Sequence, residues 1–254
     1  MSFLRESSFV FAAFVKKTDG YYSFTKTGKI LMWIVAAAIV IGVIALKISL
    51  AKKNEGKSSK PKLTVKQITF CAICMALSIV LSNVKFLSLY NGGSITLFSM
   101  FFITYIAYSV GLSTGLACGF AYGIFNFLQD PYLLSVTQVL FDYVFAFTAL
   151  GLGAIFRNLK SENKEKGEKK LTKASLIACF LTGAVMRGVF ASVAGYLFWM
   201  DYMPESFPKK IAILYPVAYN FCYIGVEAAL TVVVLLVPGV SSVLMKIRRE
   251  VEEK

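Results

Sequence analysis

Residues 132–156 read YLLSVTQVLFDYVFAFTALGLGAIF, with one ionisable side chain, Asp142, and the basic stretch from Arg157 onward immediately after. A helix needs roughly 20 apolar residues to cross the hydrocarbon core of a bilayer, and this run is long enough. Further apolar runs lie at 30–50, 64–84, 95–110, 112–129, 173–199 and 211–237. Those at 95–110 and 112–129 are short and divided only by Gly111 to Ser113, so they read as a tight helical hairpin. The run at 30–50 begins too late for a secretory signal and is read as a permanent helix. Across the 254 residues, 57% are hydrophobic and 16% charged, more apolar side chain than one soluble core could bury. The sequence therefore predicts an all-α integral membrane protein, a six-helix bundle over 64–237 preceded by one additional transmembrane helix.

Charge sets the expected topology. Lys and Arg number 27 against 14 Asp and Glu, a net +13, and they fall almost entirely between the apolar runs. That pattern is the positive-inside bias rather than a nucleic-acid surface. The polar linker 51–63, the loop 157–173 and the charged tail 238–254 are assigned to the cytoplasm. Residues 84–95, 129–132 and 200–210 then lie outside. Alternation puts the N-terminal segment 1–29 outside as well, although it carries Arg5, Lys16, Lys17, Lys26 and Lys29.

Cys71, Cys74, Cys118, Cys179 and Cys222 all lie in apolar runs, and the chain has no histidine. The Cys71-x-x-Cys74 spacing lacks the further ligands of a zinc site, so neither metal nor cofactor is expected. No Walker A, HExxH or GxSxG sequence occurs, and the commonest general base is missing, which argues against an enzyme.

Ionisable groups inside spanning segments are costly and therefore functional candidates. Asp142, Arg187 and Glu227 are the three. By helix rise, Asp142 lies ~15 Å and Arg187 ~18 Å from the outer ends of their helices, near mid-membrane. Mutual neutralisation of Asp142 and Arg187 and a ligand role are both open on this reading, while Glu227 is assigned a structural or coupling role. The outer side is rich in Tyr90, Tyr132, Tyr143, Trp199, Tyr202, Tyr215, Tyr219 and Asn220. An interfacial aromatic belt accounts for Tyr132 and Tyr202; the others suit a cage for a flat organic cation, with Asp142 as counter-charge.

Thr64 to Leu230 resembles the membrane substrate-binding (S) components of energy-coupling factor vitamin transporters, above all the thiamine-specific ones. The carriers are Asn91-Gly92-Gly93-Ser94, Pro131-Tyr132, Gln138-Val139-Leu140-Phe141-Asp142-Tyr143, Arg187 with Gly195 and Trp199, and Tyr215, Tyr219-Asn220, Tyr223 and Glu227. The resemblance implies a six-helix protein that captures its vitamin outside and delivers it with a transmembrane T subunit and two ATPases. It places Asp142, Tyr143, Trp199, Tyr215 and Asn220 in the pocket and makes the loop around Tyr90, Gly92, Gly93 and Ser94 its cover. It also implies that Ala72 and Ala76, four apart on the first helix of the bundle, touch the T subunit, since small residues let helices approach closely.

The sequence departs from the family where a histidine usually follows the arginine by four residues, which is Ala191 here, and where Glu more often stands at Asp142. Three outcomes are open: reduced affinity, a pocket enlarged for a relative or precursor of thiamine, or compensation by Ser192. An S component for another vitamin, and a scaffold or channel in which the buried charges only hold the bundle together, are the competing readings.

Overall fold

Thr64 starts the bundle with a reciprocal cap. Its hydroxyl accepts from Gln67 N (3.2 Å), and Gln67 Oε1 accepts from Thr64 N (3.3 Å), so two helix-start amides find partners without water. Helix α1, Val65–Ser82, follows. Cys71, Cys74, Ser78 and Ser82 form its buried side, while Val65, Ile68, Ile73 and Val80 are exposed, as expected of a helix with lipid on most sides. The computed structural model describes residues 15–18, 21–27, 30, 34, 63–89, 92–158, 160–162, 169–171 and 173–253. The helix expected at 30–50 lies outside the described residues apart from Ile30 and Ile34, as do nearly all of the linker 51–63 and Tyr90.

Beyond α1 the described chain forms α2 (Ser99–Ser109) and α3 (Leu112–Gln129). Three long helices follow, α4 (Val136–Phe156), α5 (Lys173–Tyr202) and α6 (Lys210–Leu236), and then α7 (Pro238–Glu252). By length and composition α1, α4, α5 and α6 can each cross a membrane. Two-stranded hairpins join some of them. Before the bundle, β1 (Val15–Thr18) pairs with β2 (Tyr21–Phe24), which packs against residues 209–214. Between α1 and α2, β3 (Lys85–Ser88) pairs antiparallel with β4 (Ser94–Thr96), Ser88 opposite Ser94. Within the basic loop, β5 (Lys160–Glu162) pairs with β6 (Lys169–Leu171).

Helix α2 has only 11 residues, ~16 Å of rise, too little to span a bilayer alone. All of it except Phe102 is buried, so it is the axis around which the other helices pack. Gly111 makes the α2–α3 corner at φ +132°, a left-handed backbone that a side chain would strain,. The helices then meet at backbone contact: a Cβ on Gly151 of α4 would lie 2.5 Å from Leu116 N of α3. Without a hydrophobic drive between helices in lipid, such close approach supplies the packing energy.

The charged segment expected as a tail is instead largely helix α7, docked on the bundle end by a buried arginine. Arg248 donates to Arg157 O (2.6 Å), Asn158 Oδ1 (3.3 Å) and Glu252 Oε1 (3.0 Å), and stacks over the Tyr108 ring at 4.0 Å. Arg157 in turn donates to the last carbonyls of α2, Tyr108 O and Ser109 O, groups a helix end leaves unpaired.

Glu227 of α6 closes the opposite end of α2. Its Oε1 accepts from Ser99 Oγ (3.0 Å) and Met100 N (3.1 Å), and its Oε2 from Thr96 Oγ1 (2.7 Å). A negative group at the positive end of α2 is favourable, and Glu227 is only 1% exposed. Removing it leaves two buried donors without an acceptor, Met100 N and one of the two hydroxyls, since Thr96 Oγ1 and Ser99 Oγ lie 2.8 Å apart and can still bond each other once. Glu227→Ala should therefore destabilise the protein by about 3 kcal/mol, seen as a large fall in melting temperature in detergent, with Glu227→Gln falling less; equal melting of all three proteins would contradict this role.

Candidate functional site

Asp142 and Trp199 lie far apart in sequence, yet Trp199 Nε1 donates to Asp142 Oδ2 at 2.8 Å. Both sit in π-helical turns, Leu140–Phe145 in α4 and Gly195–Trp199 in α5. Such wide turns interrupt a regular helix at local cost and are common where side chains are re-aimed for function. Gln138, one turn before Asp142 and fully buried, donates from Nε2 to the same Oδ2 (2.7 Å), while its Oε1 accepts from Leu134 N (3.1 Å). Among the described residues no group donates to Asp142 Oδ1. The carboxylate is thus held on one oxygen and available on the other.

A cavity adjoins it. Counted as space open to the centres of water molecules its volume is about 150 Å³. At ~10–15 Å³ per water position this is room for on the order of ten waters, or ~300 Å³ of liquid, the low end for small-molecule sites. Gly92, Gly93, Ser94, Asp142, Tyr143, Trp199, Tyr215 and Asn220 all line it, as do Arg187 and Ala191. Ala72 and Ala76 are instead exposed on the outside of α1, and Tyr90 is outside the described residues.

Aromatic rings form much of the wall. Tyr132 lies against Trp199 with centroids 4.9 Å apart and lines the cavity while 43% exposed, so it also joins the cavity wall; Tyr202, 44% exposed, touches Trp199 from outside the cavity lining. Tyr143 Oη donates to Asp130 O (3.0 Å) and accepts from Tyr132 N (3.2 Å), fixing the loop between α3 and α4. Lys85 Nζ pairs with Asp130 Oδ2 at 2.5 Å and ties the β3–β4 hairpin to that loop.

Two expectations about polar groups change. Asn220 lines the cavity, but its Nδ2 donates to Pro216 O (2.8 Å) and Ala191 O (3.3 Å), and its Oδ1 accepts from Tyr223 Oη (2.9 Å). It joins α6 to α5 as well as facing the cavity. Ser192 Oγ donates to Gly188 O of its own helix (2.7 Å) and is absent from the cavity lining, so it does not stand in for a histidine at Ala191.

The buried charges are not ion-paired to one another among the described residues. The Arg187 guanidinium lies over the Phe147 ring at 4.3 Å and near Tyr223 at 5.9 Å, while Asp142 and Glu227 hold the neutral donors already described. Mutual neutralisation of Asp142 and Arg187 is not the arrangement found. Sequence reasoning passed over Gln138, Asn126, Phe147 and Tyr122 as lining residues; only Gln138 had a local signal, its spacing of four from Asp142 on one helix face.

The hairpin loop is pinned where it meets α6. Tyr219 Oη accepts from Gly93 N at 2.9 Å. A Cβ on Gly93 would lie 2.7 Å from that hydroxyl and 2.9 Å from the Tyr223 ring, so only glycine allows the approach,.

Apolar helices long enough to span a bilayer, packed around a small-molecule cavity with a half-free carboxylate, define a multi-pass membrane protein with an internal site for a small ligand. The chain belongs to the thiamine transporter protein family, whose model matches residues 68–246. It is similar to the thiamine transporter ThiT of Bacillus subtilis (strain 168), at 27% identity over 172 residues, covering 65% of this chain and 85% of that protein. The solved structure of ThiT from Listeria monocytogenes aligns with a TM-score of 0.53 at 24% identity, covering 73% of this chain and 96% of that one. That likeness supports the all-helical membrane fold.

Tyr219→Phe removes the Gly93 contact without changing ring packing. Hydrogen exchange at the Gly93 amide should rise about fivefold, the equivalent of ~1 kcal/mol for one neutral hydrogen bond; unchanged exchange in a folded variant would show that the loop is held by other contacts.

Proposed function

We propose that this protein captures thiamine, or a close relative or precursor, from the outside and imports it as the S component of an ATP-driven energy-coupling factor transporter. The observation that carries the reading is the Asp142 carboxylate held by Gln138 and Trp199 at the wall of a cavity lined by Tyr132, Tyr143, Tyr215 and Tyr219. Thiamine joins a fixed thiazolium cation to a flat aminopyrimidine. Ring faces attract the cation, and a carboxylate oxygen accepts from an amino group in a charge-assisted bond. Family membership and the name of the Bacillus relative support the ligand.

Import needs energy from partners, which are a membrane T subunit and two ATPase subunits. The exposed Ala72 and Ala76 on α1 offer the small-residue face on which the T subunit packs,. The protein resides in the cell membrane with the α7 end in the cytoplasm and the N-terminus outside, following the basic loops. The second reading, a relative or precursor of thiamine, is kept by one feature, Ala191 in the cavity wall at the position where the family more often has histidine.

Calorimetric titration of the purified protein should show saturable thiamine binding at one equivalent. Asp142→Asn should weaken it ~10- to 100-fold, as loss of a hydrogen bond to a charged group does, and Trp199→Ala should abolish tight binding. Parent-like affinity in both variants would refute the pocket assignment. A competition panel of thiamine, its pyrimidine precursors and other vitamins separates the ligands, and co-purification with an ATPase module separates an S component from a scaffold or channel.

A further inference from the structure

The β1–β2 hairpin lies outside the family match, which begins at residue 68. Its second strand, Tyr21–Phe24, packs against residues 209–214, the opening stretch of α6. A lone two-stranded hairpin is marginally stable in water and needs a surface to pack on, and this contact provides one. The stretch it packs on is irregular in its turn. Lys209–Leu214 is 3-10 in geometry and broken at Ile211 (φ −117°, ψ 20°), and such turns have poorer backbone hydrogen bonds than an α-helix. Tyr196 Oη of α5 supports it by donating to Ile213 O at 2.7 Å. The next residue, Tyr215, lines the cavity, with its ring 5.1 Å from Phe207 and 5.7 Å from Tyr219. Strand β2 therefore backs the connection that delivers Tyr215 to the cavity wall.

The same contact fixes which end of the bundle the hairpin occupies. Helix α6 starts at the cavity and runs to Leu236, where α7 follows. The first helix of the bundle starts at the α7 end, because Gln67 Nε2 donates to Val251 O of α7 (3.2 Å). Phe24 and Thr64 thus stand at opposite ends, and the apolar run at 30–50 between them in sequence has the length that one crossing needs,. We infer that the N-terminal hairpin is a brace on the cavity end of this protein, which holds residues 209–214 in place, keeps Tyr215 in the cavity wall and slows the escape of bound ligand. The slowed escape rests on the ligand reading of the preceding section; the placement and the bracing do not.

Two measurements test it on the full chain. Thr18→Cys and, on the exposed side of α7, Ser242→Cys are treated with a membrane-impermeant maleimide on intact cells and after permeabilisation, with the parent as control for the native cysteines. Thr18→Cys should react on intact cells and Ser242→Cys only after permeabilisation. Reaction of both, or of neither, on intact cells puts the hairpin at the α7 end and overturns the brace. The reverse pattern keeps the brace and overturns the outward orientation of the cavity. Proline removes a ladder donor, so Lys16→Pro in β1 and Ser23→Pro in β2 each break the hairpin at one opposed pair. In both variants hydrogen exchange at residues 209–214 should rise at least ~5-fold while that of α2 stays as in the parent, the sign of a local unit opening alone. Parent-like exchange at 209–214 in both variants overturns the bracing whatever the ligand is. Thiamine should also dissociate severalfold faster from both; faster exchange with unchanged dissociation keeps the brace and overturns its part in retention. A parent that exchanges as expected but binds no thiamine overturns the thiamine reading and leaves the brace standing.

Discussion

The Glu227 carboxylate is the contact on which the cavity end of the bundle depends. In lipid there is no water to satisfy a buried polar group, so each must find its partner within the protein. Glu227 collects two hydroxyls and the start of α2 onto α6. Because Thr96 belongs to β4, the same carboxylate fixes the root of the hairpin whose loop reaches Tyr219. The short central helix is buried except at Phe102; Glu227 at one end and Arg157 with Arg248 at the other place it between the long helices.

The cavity is made by departures from regular helix. Residues 140–145 and 195–199 widen into π turns, and these are the stretches that carry Asp142, Tyr143 and Trp199. Irregular backbone at membrane depth is tolerated where it is buried or lines a polar space, and both conditions hold here. Close glycine contacts elsewhere, as at Gly151 against α3, bind the helices tightly below the site. The helices are closely packed there, and the described cavity opens where the π turns and the hairpin diverge.

Charge placement inside the protein follows from desolvation. Around the cavity Asp142, Arg187 and Glu227 are held by neutral hydrogen bonds or ring faces rather than by an opposite charge, which avoids locking Asp142 into a permanent pair, whereas Arg248 at the far end pairs with Glu252. A carboxylate half-occupied by Gln138 and Trp199 retains an oxygen for a ligand. An Asp142–Arg187 pair would have consumed both charges and left the cavity electrostatically blank.

Much of the fold was legible in the chain itself. Spans at 64–84, 112–129, 132–156, 173–199 and 211–237 correspond within a few residues to α1, α3, α4, α5 and α6, because hydrophobic length is a local property that lipid reads directly. The cavity set of Asp142, Tyr143, Trp199 and Tyr215 was also legible, since ionisable and aromatic residues stand out against an apolar background. Tertiary structure alone decided that Asp142 bonds Trp199 and not Arg187, that Tyr132 joins the cavity, that Asn220 ties two helices together, and that 238–252 docks as a helix. Those outcomes depend on which faces meet across segments far apart in sequence, and on where a helix widens by a residue. Periodicity and composition carry no record of either, because the energies that select them arise only when the helices are already in contact.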